Sequence, residues 1–523
     1  MPRVLIASLE VLIFSALILA TRWANYGDVF VGSEIYFTDA DCYSRMTRAR
    51  ICLENPGRII RHHSFENFPT GTTPHTTAPL DYLIVGLTAV LKPVSGRALD
   101  LAGAVISPLL ALLTGWFLWW WSRRSGLRYR GALLLLFAVS PILVHGTELG
   151  RPDHQSLLLG LLTVALCAEW TLLSAESRGW SLVSGAAWGL SLWVSFYEPL
   201  VLLLAVVLAQ MVFARQKFCA RQRLIGWASC VGIVLLALVL EQRLPVWPAT
   251  GLNPIFSNWA STIGELTPVP INEPVWLRWT GLLLIPLPAL LWISMTKVRS
   301  TPVFLAALLV ASFALTMWQA RWAYFFALIF ALAVPGLLSV LRNPIAGWTL
   351  FSISLFPLLT DWDERLWPNE SQSALALERR AEAIGWRQAA AHLAAPTEAP
   401  FLAPWWFSPA VAYWSGQPGV AGSSHESLDG IEQSARFFVA SDPETARAIL
   451  EKTRAVWVLA YDADRTGANS AALLGFPVPE NPLSRVLDRT PGQAPAFLQL
   501  AAQNSVCKLF RVRIFQEKKD FPR

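Results

Sequence analysis

The sequence predicts a polytopic α-helical membrane protein with a C-terminal α/β domain, and three observations carry that prediction. Of 523 residues, 54% are hydrophobic and only 15% charged, where a soluble domain carries about a quarter charged residues. The apolar residues concentrate in 1–360 as repeated runs of about 16–23 residues, long enough to cross a bilayer as helices. Residues 361–523 have an ordinary soluble composition and mix helical with strand-like patterns. The chain therefore divides into a transmembrane region, 1–360, and a soluble domain, 361–523.

The first run, 4–20, follows Arg3 and lacks a small-residue cleavage site, so it reads as an uncleaved signal anchor. Further spans are expected near 99–121, 131–147, 156–174, 180–197, 199–214, 224–241, 277–295, 302–318, 322–341 and 345–360, about eleven in all. The stretch LDYLIVGLTAVLK (80–92) is too short to cross comfortably and reads as an interfacial helix. Charge tests this layout. With the N-terminus inside, SRRSGLRYR (122–130), ESRG (176–179), ARQKFCARQR (214–223), TKVRS (296–300) and LRNP (341–344) fall on the cytoplasmic side, as the positive-inside rule requires. Counting 80–92 as a span spoils the pattern. The expected protein is multi-pass in an inner or plasma membrane, with its C-terminal domain extracytoplasmic.

The net charge of +6 is accounted for by these loops and calls for a bilayer, not a nucleic acid, as partner. The six cysteines show neither a CxxC pair nor metal-like spacing. Cys167 and Cys230 lie in apolar runs as core residues. Cys42 and Cys52 share one loop, and the sequence leaves their disulfide state open.

On the outer face the first loop is long, 22–79, or 22–98 with the interfacial helix, and contains YFTDADCYSRM, RHH and PTGTTPHTTAPLD. The second is short, TELGRPDHQ (147–155). The third, 242–276, contains SNWASTIGELTPVP, and the fourth is WQAR (318–321). Asp41, Asp153, Glu265 and Arg321 therefore share one face. Carboxylate oxygens are hard ligands suited to Mg²⁺ or Mn²⁺, and such an ion acts as a Lewis acid on a departing pyrophosphate. Arg321 offers a planar clamp for phosphate, and Arg45 and Arg48 add positive charge for an anionic donor. Each residue also has a plain structural reading. A D-x-D occurs in many hydrated loops, Asp153 suits a helix N-cap, Glu265 a solvated loop, and Arg321 an interfacial anchor. Their shared sidedness favours a site.

These pieces come in a telling order: D-x-D followed by Tyr, an Asp in a short second loop, TIGE (262–265), an Arg opening a late span in QARWAYF (319–325), and WW (405–406). This resembles the catalytic subunit of oligosaccharyltransferases, within the GT-C glycosyltransferase superfamily. The resemblance implies a GT-C fold and transfer of a glycan, with inversion, from a polyprenyl-pyrophosphate carrier to an acceptor, expected to be a protein asparagine. Asp41 matches the first-loop aspartate that contacts metal and acceptor, with Asp39 supporting it. Asp153 matches the second acidic motif, Glu265 the glutamate of T-I-x-E, and Arg321 the arginine facing the pyrophosphate. The implied cofactor is Mg²⁺ or Mn²⁺.

Two departures follow. The second motif, normally D-x-D or D-x-E, is Asp153-His154-Gln155. Gln155 contributes a carbonyl oxygen without charge, and His154, Glu148 and His63 are candidates to supplement it. The family's W-W-D-x-G is Trp405-Trp406-Phe407-Ser408-Pro409, and Phe407 cannot accept a hydrogen bond from a Ser or Thr hydroxyl. The acceptor is therefore a protein, or instead a lipid or glycan. An alternative is a sugar transferase with a polyprenyl-monophosphate donor that modifies lipid or surface polysaccharide. A lipid transporter is a third reading, opposed by the lack of an internal repeat and by the few acids in the spans, Glu10, Glu169 and Glu198.

In the C-terminal domain, 376–394 has helical periodicity, 444–462 reads as a helix feeding a buried strand, and 401–427 as short strands linked by Gly/Pro turns. His425 is expected at the surface.

Overall fold

The structure is a computed structural model that describes residues 3–245 and 253–514; residues 246–252 of the third loop and 515–523 of the C-terminal domain lie outside the described residues. Two compact units emerge, and neither is continuous in sequence. A helical unit comprises Met1–Phe30, Thr76–Pro245 and Glu265–Glu370; a mixed unit comprises Val31–His75, Val246–Gly264 and Ser371–Arg523.

In the helical unit five helices are long and apolar enough to cross a membrane: Val4–Arg22, Ala98–Arg124, His154–Ser174, Arg223–Glu241 and Ala320–Leu338. Shorter apolar helices are Pro79–Leu91, Arg130–Val139, Tyr197–Phe213, Leu287–Val298 and Val303–Trp318. The 13-residue Pro79–Leu91 helix spans about 20 Å at 1.5 Å per residue, well short of a hydrocarbon core. The Ala323–Leu338 helix is buried along its whole length and is the spine around which this unit packs.

Helix crossings here depend on small residues. A Cβ at Gly185 would meet the Gly226 carbonyl oxygen at 1.8 Å, and one at Gly226 the Ser181 carbonyl oxygen at 2.4 Å. The Arg178–Val194 and Arg223–Glu241 helices thus touch backbone to backbone, the close approach that small-xxx-small spacing allows between apolar helices.

Three expected spans prove discontinuous, the first being 131–147, which divides at Ser140 into Arg130–Val139 and Pro141–His145. Residues 277–295 divide into Val275–Thr280, a 3₁₀ turn Leu282–Leu284, Leu287–Ile293 and a π-helical turn Ser294–Val298. Gly281 takes φ +85° there, with no room for a Cβ against the Ser354 carbonyl, and Pro286 and Pro288 remove two backbone donors. Likewise 345–360 divides into Pro344–Ser354 and Phe356–Leu366, where Pro357 begins a second helix.

The mixed unit contains a four-stranded sheet in the order Phe401–Leu402, Trp457–Tyr461, Cys507–Val512, Leu498–Gln503. The first pair is parallel and the other two antiparallel. The expected helix feeding a buried strand is Pro443–Thr453 followed by Trp457–Tyr461. Residues 401–427 differ from the expected run of strands. After Phe401–Leu402 the chain forms a helix, Ser408–Ser415, with Pro409 in its first turn and Gly416 at its C-terminal end in the left-handed region. Pro at the start and Gly just past the end are helix-boundary chemistry, which resembles turn chemistry in sequence. The first-loop helix Ala40–Glu54 packs in this same unit, with Tyr43 edge-on to Trp414 at 4.9 Å and the Arg50 guanidinium 3.9 Å from the Tyr413 ring centre.

Candidate functional site

In the helical unit, separate segments deliver polar side chains to one place. Asp153 caps the His154–Ser174 helix: its Oδ1 accepts from the His154 backbone N–H at 2.6 Å and lies 2.6 Å from His154 Nδ1. Glu265, in the 3₁₀ turn Gly264–Leu266, is gripped by three donors. Arg151 Nη2 and the Tyr324 hydroxyl donate to its Oε1 at 3.2 and 2.9 Å, and Gln155 Nε2 donates to its Oε2 at 3.4 Å. His145 completes a ring, with Nδ1 2.8 Å from the Tyr324 hydroxyl and Nε2 3.2 Å from Arg151 Nη1. Since arginine only donates and Tyr324 spends its proton on Glu265, the ring closes with the His145 proton on Nδ1.

Arg321 opens the last of these segments. Its Nη2 lies 2.5 Å from Glu198 Oε1, and Ser195 Oγ donates to Glu198 Oε2 at 2.8 Å. Glu265 and Asp153 also act on the Arg321 charge. The Arg321 Nε–H is buried and meets no acceptor among the described residues. Such an orphaned guanidinium donor suits an incoming anion.

The helical unit therefore gathers five of the expected residues, Asp153, His154, Gln155, Glu265 and Arg321. A hard divalent cation fits this donor set. Beside the two carboxylates, Gln155 Oε1 is buried and accepts no hydrogen bond among the described residues. Expectation missed Arg151, Tyr324, His145 and Glu198. Glu198 carries the clearest signal, because a carboxylate in an apolar run needs a partner.

The mixed unit holds the other expected residues. Asp39 is the N-cap of the Ala40–Glu54 helix, its Oδ1 accepting from the Cys42 N–H at 2.9 Å. Asp41, two residues further in, accepts from Ser423 Oγ at 2.5 Å. Glu66 is buried, and burial pushes its carboxyl up to about 8; the Ser44 hydroxyl and Arg48 oppose this, while Asp41 and Glu426 reinforce it. His63 is buried, stacked on Phe65 at 3.7 Å and bridged through its backbone to Thr72. Trp405 meets Trp259 at 6.1 Å and Trp406 at 5.9 Å. Phe407 is a core residue, stacked on Trp386 at 4.8 Å.

Two expectations in this unit are corrected, and one open question is answered. Arg45 and Arg48 are buried, so they offer no open positive surface. Cys42 and Cys52, whose pairing the sequence leaves open, are buried and not disulfide-bonded. His425 is not a surface residue: its side chain is 16% exposed and lies 3.5 Å from Glu426. Glu426 is held well below the usual carboxylate range; its burial works against this, and the His75 and His425 charges with hydrogen bonding from His75 outweigh it.

No protein-family model matches the sequence, and no curated protein matches it. Solved structures do match the fold. The oligosaccharyltransferase AglB from Archaeoglobus fulgidus, solved with an inhibitory peptide and a dolichol-phosphate, is 15% identical, with TM-score 0.69 over 89% of this chain and 70% of that one. An Archaeoglobus fulgidus oligosaccharyltransferase tethered to an acceptor peptide containing the NVT sequon gives TM-score 0.65 at 14% identity, over 89% and 70%. ArnT from Cupriavidus metallidurans, bound to undecaprenyl phosphate, gives TM-score 0.60 at 12% identity, over 97% of each chain. The likeness is one of fold: the chain has the fold of these oligosaccharyltransferase and ArnT structures.

Proposed function

We propose that this chain is a membrane glycosyltransferase that transfers a glycan from a polyprenyl-pyrophosphate carrier to an acceptor, expected to be a protein asparagine, with inversion at the anomeric carbon. One observation carries the reading: Asp153, Glu265 and Arg321, from three separate segments, converge where the buried Arg321 Nε–H has no acceptor among the described residues. Arg321, oriented by Glu198, holds the anionic donor. Asp153, Gln155 and Glu265 would hold Mg²⁺ or Mn²⁺, with His154 beside them, and Asp41 joins the ligand candidates through the motif resemblance. Bound there, the cation would supply Lewis-acid neutralisation of the departing pyrophosphate. Arg151, Tyr324 and Gln155 fix the Glu265 carboxylate, so it does not reorganise as charge develops. The lipid carriers and the peptide found with AglB and ArnT support a lipid-linked donor. The basic loops support a cytoplasmic N-terminus and an extracytoplasmic site.

The test is in vitro transfer by purified protein with a lipid-linked oligosaccharide, a peptide acceptor and added Mn²⁺. Asp41→Ala and Glu265→Ala are expected to insert and fold yet lose metal-dependent transfer. Full turnover by both variants overturns the proposal.

A second reading, a polyprenyl-monophosphate donor and a lipid or polysaccharide acceptor, is favoured by Phe407. Where a sequon-reading site needs a hydrogen-bond acceptor, this chain has a ring packed into the core against Trp386. Glycopeptide mass spectrometry of cells with and without the gene separates the two, since asparagine-linked glycan that vanishes on deletion excludes the second.

A further inference from the structure

We infer that the mixed unit holds a zinc site of its own, formed by His75, His425 and Glu426. One ligand atom from each lies within 4.8 Å of the others. His75 Nδ1 is 2.5 Å from Glu426 Oε1, His425 Nδ1 is 3.5 Å from Glu426 Oε2, and the imidazole centres are 5.2 Å apart. The carboxylate is 93% buried, its side chain being 7% exposed, and its Oε2 meets no hydrogen-bond donor among the described residues. Two imidazoles converging on one enclosed carboxylate make a nitrogen-rich donor set. Magnesium and calcium choose oxygen, whereas zinc takes imidazole and carboxylate together at about 2.0–2.2 Å. Three protein ligands leave the fourth tetrahedral position to water.

The scaffold brings these ligands together without the ion. His75 and Glu426 are 351 residues apart in sequence, yet their segments are tied by backbone bonds. Gly419 N–H donates to the Phe65 carbonyl at 2.9 Å, and Phe68 N–H to the Gly419 carbonyl at 3.2 Å. Asn67 Oδ1 accepts from Gly430 N–H at 2.8 Å, and Thr72 Oγ1 donates to the Glu426 carbonyl at 3.1 Å. The Phe256 ring stands edge-on to His425 at 6.5 Å. A cation here cross-links the first-loop segment to the 419–430 segment. That second segment carries Ser423, whose hydroxyl holds Asp41, so the ion positions Asp41 without touching it. The site shares no ligand with Asp153, Gln155 and Glu265, and does not rest on the proposed transferase reaction.

Full-length detergent-purified protein is stripped with chelator, reloaded with Zn²⁺, passed over a desalting column and analysed for bound metal. Wild type is expected to retain one zinc per chain against excess Mg²⁺. His425→Ala and Glu426→Gln are expected to bind zinc at least about tenfold more weakly, since even indirect ligand partners are worth about 10–100-fold. Asp153→Asn with Glu265→Gln should keep the zinc. Cobalt loading adds a spectral readout, a visible d–d band that His425→Ala removes. Should Glu426→Gln elute as aggregate, His75→Asn takes its place. A wild type that retains no zinc, zinc displaced by Mg²⁺, or ligand variants that bind like wild type would each overturn the inference.

Discussion

In the helical unit three buried carboxylates lie against arginines: Glu169 is 2.6 Å from Arg223, Glu198 2.5 Å from Arg321 and Glu241 3.4 Å from Arg243. In the mixed unit Glu426 lies between two imidazoles, and Glu66 sits beside two carboxylates and a hydroxyl, with Arg48 too weak to offset its burial. The difference is one of how a charge is kept out of water. An arginine travels with the chain and is always ionised, so these three ion pairs should be insensitive to chelators and to pH near neutrality. Imidazoles and like-charged neighbours leave the outcome to protons and cations, so the mixed unit should respond to both. Pairing of the first kind also serves function where the arginine keeps a donor to spare, as Arg321 does.

The largest effect is expected at Arg321. Arg321→Ala should lower transfer by about 10²–10³, the usual cost of removing a preorganised donor to developing negative charge. It should also destabilise the helical unit by about 3 kcal/mol, because Glu198 is then buried unpaired. Arg321→Met combined with Glu198→Leu should recover the melting midpoint, since a hydrophobic pair replaces an ion pair at little net cost, while transfer stays absent. A double variant that regains turnover would reduce the pair to a structural one.

Next is the grip on Glu265. Tyr324→Phe keeps the ring and deletes one bond to a charged acceptor, worth about 1.5–3 kcal/mol. Transfer should fall about tenfold or more, with little change in peptide KM, whereas Glu265→Gln should remove nearly all turnover. An unchanged kcat for Tyr324→Phe would show that Arg151 and Gln155 suffice.

These two experiments probe residues of unequal legibility. Asp153, Glu265 and Arg321 could be read from the sequence because each stands in a short polar interruption between apolar runs. Tyr324 could not be read in the same way, since it sits among apolar residues and gains meaning only when helices from different parts of the chain pack; Glu198 stands out as a carboxylate in an apolar run, but its pairing with Arg321 does not. The breaks at Gly281 and Pro286 were concealed by composition: hydropathy counts apolar residues and is blind to lost backbone donors. In 401–427, Pro409 and Gly416 signalled punctuation correctly but were assigned to turns, because the same two residues bound a short helix. His425 looked solvated because its partner His75 is remote in sequence.

The mixed unit's sensitivity has a definite sign at Glu66. Its carboxyl is raised to about 8 from the ordinary 4.5, so the folded state holds this proton more tightly than the unfolded chain. That preference is fully present below about pH 4.5 and is lost as pH climbs to about 8, at up to about 1.4 kcal/mol per pH unit. In chelator-treated protein the melting midpoint should fall between pH 6 and 9, and Glu66→Gln should flatten the fall. Glu426, held low, behaves oppositely: its contribution is present above the usual carboxylate pKa and lost as pH drops below it. An identical pH profile for Glu66→Gln and wild type would place the sensitivity elsewhere.

The smallest expected effect divides the D-x-D itself. Asp39 spends its Oδ1 on the Cys42 N–H as a helix cap, whereas Asp41 faces Ser423. A cap needs an oxygen acceptor and not a charge, and asparagine supplies one about as well as aspartate. Asp39→Ala should therefore cost about 1 kcal/mol and leave transfer per folded molecule nearly intact, and Asp39→Asn should be close to wild type in both. Asp41→Asn should keep its stability and lose metal-dependent turnover, because a ligand to a hard divalent cation needs the carboxylate charge. Equal losses of turnover in Asp39→Asn and Asp41→Asn would mean that both charges act on the cation. The helix cap would then be a second use of Asp39, and its charge, not its hydrogen bond, would account for the pairing of two aspartates in this loop.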